Sequence, residues 1–236
     1  MKKISFVFFM VLLMITFPER AFSIKAEIFS ANDFDTEDQR FHFLGVGIIN
    51  PITKEISILP RLMAGFYRYK FKSDGKTLSA DLQTIMPAVG IRYSSEGYSL
   101  AVIGGADFRR TERERADGGD ETDDEQGGFG QLELDIWPLP MTNFNIILNF
   151  SSIDEFFWSR IRVKRDIGRL AGLRESLFAG IEAIGSGNED FQAWQIGVFN
   201  ELSLYGKLYL TGKVGYKRST EIGDSAYFGF DMYLSF

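Results

Sequence analysis

The sequence predicts an all-β fold, an antiparallel up-and-down transmembrane β-barrel of about 12 strands, on three observations. Apolar and polar residues alternate with period two through much of the chain beyond residue 23. The alternating segments run about ten residues or longer, against the five or six of an ordinary globular strand. The chain ends on an amphipathic strand whose last residue is the aromatic Phe236. Composition agrees: 24 Gly, 23 Phe, 9 Tyr and 3 Trp accompany a mean hydropathy of −0.06, as expected of alternating strands rather than apolar helices.

Taken in order, residues 1–23 read as a secretory signal peptide. Lys2 and Lys3 precede an apolar run at 4–17, Pro18 breaks it, and Ala21 and Ser23 supply the small residues of a cleavage site. The run of 14 residues is short of the ~20 that a spanning helix needs. Cleavage after Ser23 removes Lys2, Lys3 and Arg20 against Glu19 and takes the formal charge from −6 to −8. The rest, 24–236, is expected to be a single barrel domain in the bacterial outer membrane.

Candidate strands lie near 24–31, 39–50, 58–71, 78–93, 97–110, 128–138, 143–151, 154–166, 173–184, 189–201, 205–217 and 225–236. Twelve is even, as a single-chain bacterial barrel requires, and counts of 10–14 fit the same pattern. In the last strand Phe228, Phe230, Met232, Leu234 and Phe236 share one face, opposite Tyr227, Gly229, Asp231, Tyr233 and Ser235. Leu132, Leu134 and Ile136 oppose Gln131, Glu133 and Asp135 in the same way. Pro60 and Pro87 interrupt two early segments, and each implies a bulge or a strand end. The longest connection is expected at 111–127, on the extracellular side. Its acids Asp117, Asp120, Glu121, Asp123, Asp124 and Glu125 read as a solvated, disordered loop, the spacing departing from that of a regular calcium loop.

Chemistry is narrowly bounded. With no Cys and one His, disulfides, thiol catalysis and multi-His metal sites are excluded. The acidic balance argues against nucleic acid as a partner. His42 stands alone near a strand end, so no catalytic residue, metal or cofactor is expected. If Phe157, Ile161 and Val163 face lipid, then Trp158, Arg160, Arg162 and Lys164 face the lumen, joined by Glu182, Glu133, Asp135, Lys213 and Asp231 from other strands. Two readings follow: a lumen filled by paired charges, or a saccharide track of rings and hydrogen-bonding groups. Phe236, Leu234 and Met232 form the candidate assembly signal, read by the barrel-assembly machinery.

The stretches Gly130-Gln131-Leu132-Glu133-Leu134-Asp135-Ile136-Trp137 and Phe156-Phe157-Trp158-Ser159-Arg160 resemble the cellulose biosynthesis protein BcsS family of bacteria. So do Gly180-Ile181-Glu182-Ala183, Gly187-Asn188 and Gln192-Ala193-Trp194-Gln195-Ile196-Gly197, with the resemblance covering about 128–236. It implies an outer-membrane accessory protein of cellulose, an exopolysaccharide, rather than a synthase. That role would be export, anchoring or organisation of the polymer, with outer-membrane lipids, the polysaccharide and other cellulose-secretion components as partners. A small porin or solute channel unrelated to cellulose is the alternative.

Overall fold

The computed structural model describes residues 24–73, 75–170 and 175–236, without the side chains of residues 169 and 170; the expected signal peptide lies outside the described residues. Twelve antiparallel strands close into one barrel. In chain order they are β1 (Lys25–Asp35), β2 (Arg40–Pro51), β3 (Ile56–Ser73), β4 (Lys76–Ser95), β5 (Tyr98–Glu114) and β6 (Asp120–Leu139). The second half follows as β7 (Thr142–Ser151), β8 (Phe156–Asp166), β9 (Ser176–Gly187), β10 (Gln192–Leu204), β11 (Leu208–Ser219) and β12 (Gly223–Ser235). Single helical turns at Ile153–Glu155 and Ile167–Leu170 are the described helical pieces.

Closure is made between the two ends of the chain. β1 pairs with β12 from Glu27↔Ser235 to Asp35↔Tyr227, and Ala26 and Phe236 exchange backbone hydrogen bonds of 2.8 and 3.0 Å. The closed sheet leaves no unpaired edge in hydrocarbon, where each orphaned backbone group costs several kcal/mol. Short turns follow from local chemistry. Asp35 accepts hydrogen bonds from the amides of Glu37 (3.0 Å) and Gln39 (2.9 Å), which folds the β1–β2 connection, and Gly97 (φ 85°) closes the two-residue turn between β4 and β5.

The sheet is inverted relative to a soluble protein. Ile85, Val89 and Ile91 on β4, Ile196 and Val198 on β10, and Phe228 and Phe230 on β12 are exposed on the outer wall. Glu27, Glu182 and Asp107 are among the most buried side chains, at 1%, 1% and 2% exposure. Apolar outside and charged inside is what lipid demands of a barrel wall.

The two prolines do not end or bulge their strands. β3 keeps one register against β4 from Ile56↔Tyr93 to Ser73↔Lys76, through both Pro60↔Val89 and Leu62↔Pro87. What each proline removes is pairing on its other side. The β2–β3 ladder is interrupted between Gly47↔Arg61 and Asn50↔Ile58, and the β4–β5 ladder between Ile85↔Phe108 and Ala88↔Gly105. A ring without an N–H forfeits one rung, and the rung on the opposite edge holds the strand straight.

The acidic segment is also not a disordered loop. β5 runs on to Glu114 and β6 begins at Asp120, leaving residues 115–119 as the turn. Three of its acids stand opposite arginines of β5, with Arg109↔Glu125, Arg110↔Asp124 and Arg113↔Glu121 as register partners, and Arg113 forms an ion pair with Asp123 at 3.0 Å. Opposite charges across an antiparallel pair stabilise it.

β3–β6 are 17 to 20 residues long, against 10 to 13 elsewhere. They therefore outrun their neighbours. β2 pairs with β3 only as far as Arg40↔Arg68, and β7 pairs with β6 only from Phe129↔Ser151. The tips of β3–β6 stand beyond the rim as a four-stranded extension, rising roughly 25 Å along β6 at about 3.3 Å per residue.

Candidate functional site

The lumen contains two charge clusters that span it. The first centres on Arg162 of β8, whose Nε donates to Glu182 Oε2 on β9 at 2.8 Å and whose Nη2 lies 2.6 Å from Asp231 Oδ2 on β12. Three strands separate β8 from β12 in the wall, so the second contact reaches across the lumen. Lys213 of β11 contacts Asp231 (3.0 Å) and Asp33 of β1 (2.6 Å), and Tyr227 donates its hydroxyl to Glu182 at 2.8 Å. Arg160 lies 3.7 Å from Asp231 and donates to Asn145 Oδ1 at 3.3 Å. Three cations face three carboxylates, the balance that burial requires.

The second cluster centres on Arg61 of β3. Its Nε donates to Glu27 of β1 at 2.7 Å, and its terminal nitrogens form a fork with Glu133 of β6, across β4 and β5. Arg92 adds a 3.4 Å contact to Glu133, Gln131 donates to it at 2.7 Å, and the Tyr233 hydroxyl donates to Glu27 at 3.2 Å. Two cations again face two carboxylates. Beside this cluster Met63, Met86 and Phe129 are packed with Phe29, Phe43 and Ala88, an apolar filling on the same inner wall.

Each cluster occupies space that a glycine leaves open. A Cβ on Gly229 would stand 2.2 Å from Asp33 Oδ1 and 2.6 Å from Lys213 Cε, and one on Gly47 would stand 2.9 Å from both Arg61 Cγ and Glu27 Oε1. Real Cβ contacts do not come so close. The glycines are thus part of how the ion pairs fit.

Of the residues singled out by sequence, Arg160, Arg162, Glu182 and Asp231 meet in the first cluster and Glu133 in the second. Lys164 lies apart, paired with Glu201 and set 4.7 Å from the Phe178 ring and 6.0 Å from those of Trp137 and Tyr209. Asp135 is held by the Asn145 amide at 3.1 Å and by no cation within ion-pair distance among the described residues. Trp158 stands in the wall between Asn149 and Ser186 and joins none of the described ring contacts or ion pairs, so no continuous aromatic track runs with it. His42 faces outward, its Nδ1 3.0 Å from Asn32 Oδ1 and its ring against Phe34 and Phe66. Phe236 is exposed on the outer wall, and Leu234 and Met232, on the same face, are half-buried. Glu27, Asp33, Arg61 and Arg92 were missed by sequence; the signal available was a charge at an inward position of an alternating strand, as in Leu59-x-Arg61-x-Met63.

A closed, even-stranded antiparallel barrel, apolar outside and ionically paired inside, has the architecture of a transmembrane β-barrel. Solved structures share it. An outer-membrane channel from Pseudomonas putida F1 is 11% identical, with 93% of this chain and 97% of that one covered and a TM-score of 0.55. The β domain of the Bordetella autotransporter BrkA is 16% identical (89% and 98% covered, TM-score 0.51), and the KdgM porin 7% (89% and 99% covered, TM-score 0.51). Identities this low establish a common fold and nothing finer. No curated protein matches the chain. The family described as cellulose biosynthesis protein BcsS matches residues 52–236, and the chain belongs to that family. The match begins well before the 128–236 stretch on which the sequence resemblance rests, taking in β3–β5 as well.

Proposed function

We propose that this protein sits in the outer membrane as an accessory of cellulose production and anchors or organises the secreted polymer at the cell surface, without conducting it. The observation that carries the reading is the lumen. Arg61–Glu133 and Arg162–Asp231 cross it, and Met63, Met86 and Phe129 add bulk between the strands. A polymer passing through would have to break both charge-balanced clusters and leave buried charges unpaired, at about 3–5 kcal/mol for each pair broken. Function then falls to the surfaces at the two ends of the barrel. The partners are lipid around the apolar wall, the polysaccharide and other secretion components at the ends, and the barrel-assembly machinery at Phe236, Leu234 and Met232.

The test is deletion of the gene in its host, with the amount, chain length and cell attachment of extracellular β-glucan measured. Altered attachment or organisation is expected, and an unchanged polymer on all three counts removes the role. Purified protein in planar bilayers is expected to show no discrete conductance steps. Regular steps at neutral pH would replace the anchoring reading with that of a porin or solute channel.

A further inference from the structure

The β3–β6 extension carries a pocket of about 340 Å³, open to solvent, at its tip, far from the lumen clusters. Phe71 and Leu78, register partners in the β3–β4 hairpin, contribute its apolar lining. Arg113 on β5 and Glu121 opposite it on β6, with Arg115 and Asp117 of the turn, contribute polar groups. These four strands bring an aromatic ring, guanidinium donors and carboxylate acceptors around one small volume. Two hydrogen bonds brace the hairpin tips around it. Lys76 Nζ donates to the Ala116 carbonyl at 2.8 Å and ties one hairpin to the other, while Arg115 and Gly119 close the turn with a 2.8 Å backbone bond.

We infer that this pocket is a binding site for a neutral saccharide, a short run of β-glucan, resting on the reading of the chain as a cellulose accessory at the cell surface. A sugar ring presents a C–H face that packs on an aromatic ring and a perimeter of hydroxyls that both donate and accept hydrogen bonds. Phe71 meets the first requirement. Arg113 and Arg115 as donors and Glu121 and Asp117 as acceptors meet the second. Charge decides the class of ligand. Lining cations and anions nearly cancel, two arginines against Glu114, Asp117 and Glu121, so neither a polyanion nor a polycation is favoured. Part of that charge is already engaged, Arg113 with Asp123 at 3.0 Å and Arg115 with Asp117 at 3.5 Å, which leaves polar groups suited to hydroxyls. Barrels of this kind carry short turns on the periplasmic side and their longer elements outside, which places the site where secreted polymer would be met.

Isothermal titration of the full-length protein in detergent with cellohexaose, an oligogalacturonate and a fully deacetylated chitohexaose tests the site. Saturable binding of cellohexaose alone is expected. Phe71→Ala should weaken it about tenfold or more, Phe71→Trp should keep it, and the lumen variant Asp135→Asn should leave it unchanged. Heat-modifiable gel migration reports whether each variant is folded; if Phe71→Ala is not, Glu121→Gln, expected to weaken binding, carries the test. No saturable cellohexaose binding, stronger binding of either charged oligomer, or wild-type affinity in folded Phe71→Ala and Glu121→Gln would overturn the site. Failure here is separable from failure of the broader reading. A gene deletion that alters the polymer while the protein binds no cellohexaose removes this site and leaves the anchoring role standing.

Discussion

Replacing Arg162 by Met tests whether the lumen is truly closed by its ion pairs. Arg162 is the hub of the first cluster, with contacts of 2.7 Å to Glu182 and 2.6 Å to Asp231 from one nitrogen and a further hydrogen bond to Glu182 from Nε. Met preserves much of the aliphatic stem and removes the charged guanidinium, whose carbon stands 4.8 Å from the centre of the Phe199 ring. Asp231 would keep Lys213 at 3.0 Å, whereas Glu182, with a side chain 0% exposed, would keep only the Tyr227 hydroxyl among its described direct partners. Breaking a buried pair from one side costs about 3–5 kcal/mol, because the remaining charge is left uncompensated. Denaturant unfolding of detergent-folded protein, followed by tryptophan fluorescence, should show a loss of that size with an unchanged slope. Adding Glu182→Gln should recover most of it, since the stranded charge is then gone. A loss below about 1 kcal/mol, the range of exposed pairs, would mean that water reaches Arg162 and Glu182. The lumen would then be wet and the argument against conduction would fail.

Four further outcomes follow from the same geometry. Deleting residues 233–236 removes the Glu27↔Ser235 rung and the Ala26–Phe236 bonds and should stop membrane insertion, which fractionation of cells reads; a truncated protein still found folded in the membrane refutes the closure argument. Gly229→Ala, whose Cβ would fall 2.2 Å from Asp33 Oδ1, should destabilise by about 1–3 kcal/mol, while Gly130→Ala, with nothing within 4 Å, should stay within about 0.5 kcal/mol. The double variant Arg61→Ala/Arg162→Ala should give conductance steps in planar bilayers where the wild-type protein gives none. Arg113→Ala should speed amide exchange in β6 around Asp123 and cost under about 1 kcal/mol, as its ion pair is partly exposed; unchanged exchange would show that the facing charges do not order the hairpin.

The parts of the fold legible in the sequence are those where one strand carries its own contrast. In β12 the row Phe228, Phe230, Met232, Leu234 and Phe236 separates lipid from lumen without reference to any neighbour. The β5–β6 hairpin was not legible for the opposite reason. Six acids in a short stretch look like a solvated loop until the register sets Arg109, Arg110 and Arg113 beside them, and register is a property of two strands together. The prolines misled similarly, since a one-strand view cannot show that the opposite edge stays paired. In the lumen, parity alone was enough to place Arg162 and Glu182 inside. Which charges meet depended on barrel closure, and Arg61 escaped notice because it lies among apolar residues directly after Pro60, which reads in one strand as an interruption.

The polar lumen also has a part in choosing the fold. A strand slipped by one residue would turn its entire apolar row inward and its polar row to lipid, and a wall of uniformly apolar strands would resist such slips only weakly. Here a slip of β8 would carry Arg162 out of reach of both Glu182 and Asp231 and into hydrocarbon, and a slip of β3 would do the same to Arg61. Gly47 and Gly229 sharpen the choice, because each leaves room beside its cluster only in the native register. Paired charges that fix twelve strands in register leave the middle of the barrel with little freedom to open. The proposed role therefore places partner contacts at the ends of the barrel, and the four longest strands rise together at one of them, carrying the pocket lined by Phe71, Arg113 and Glu121.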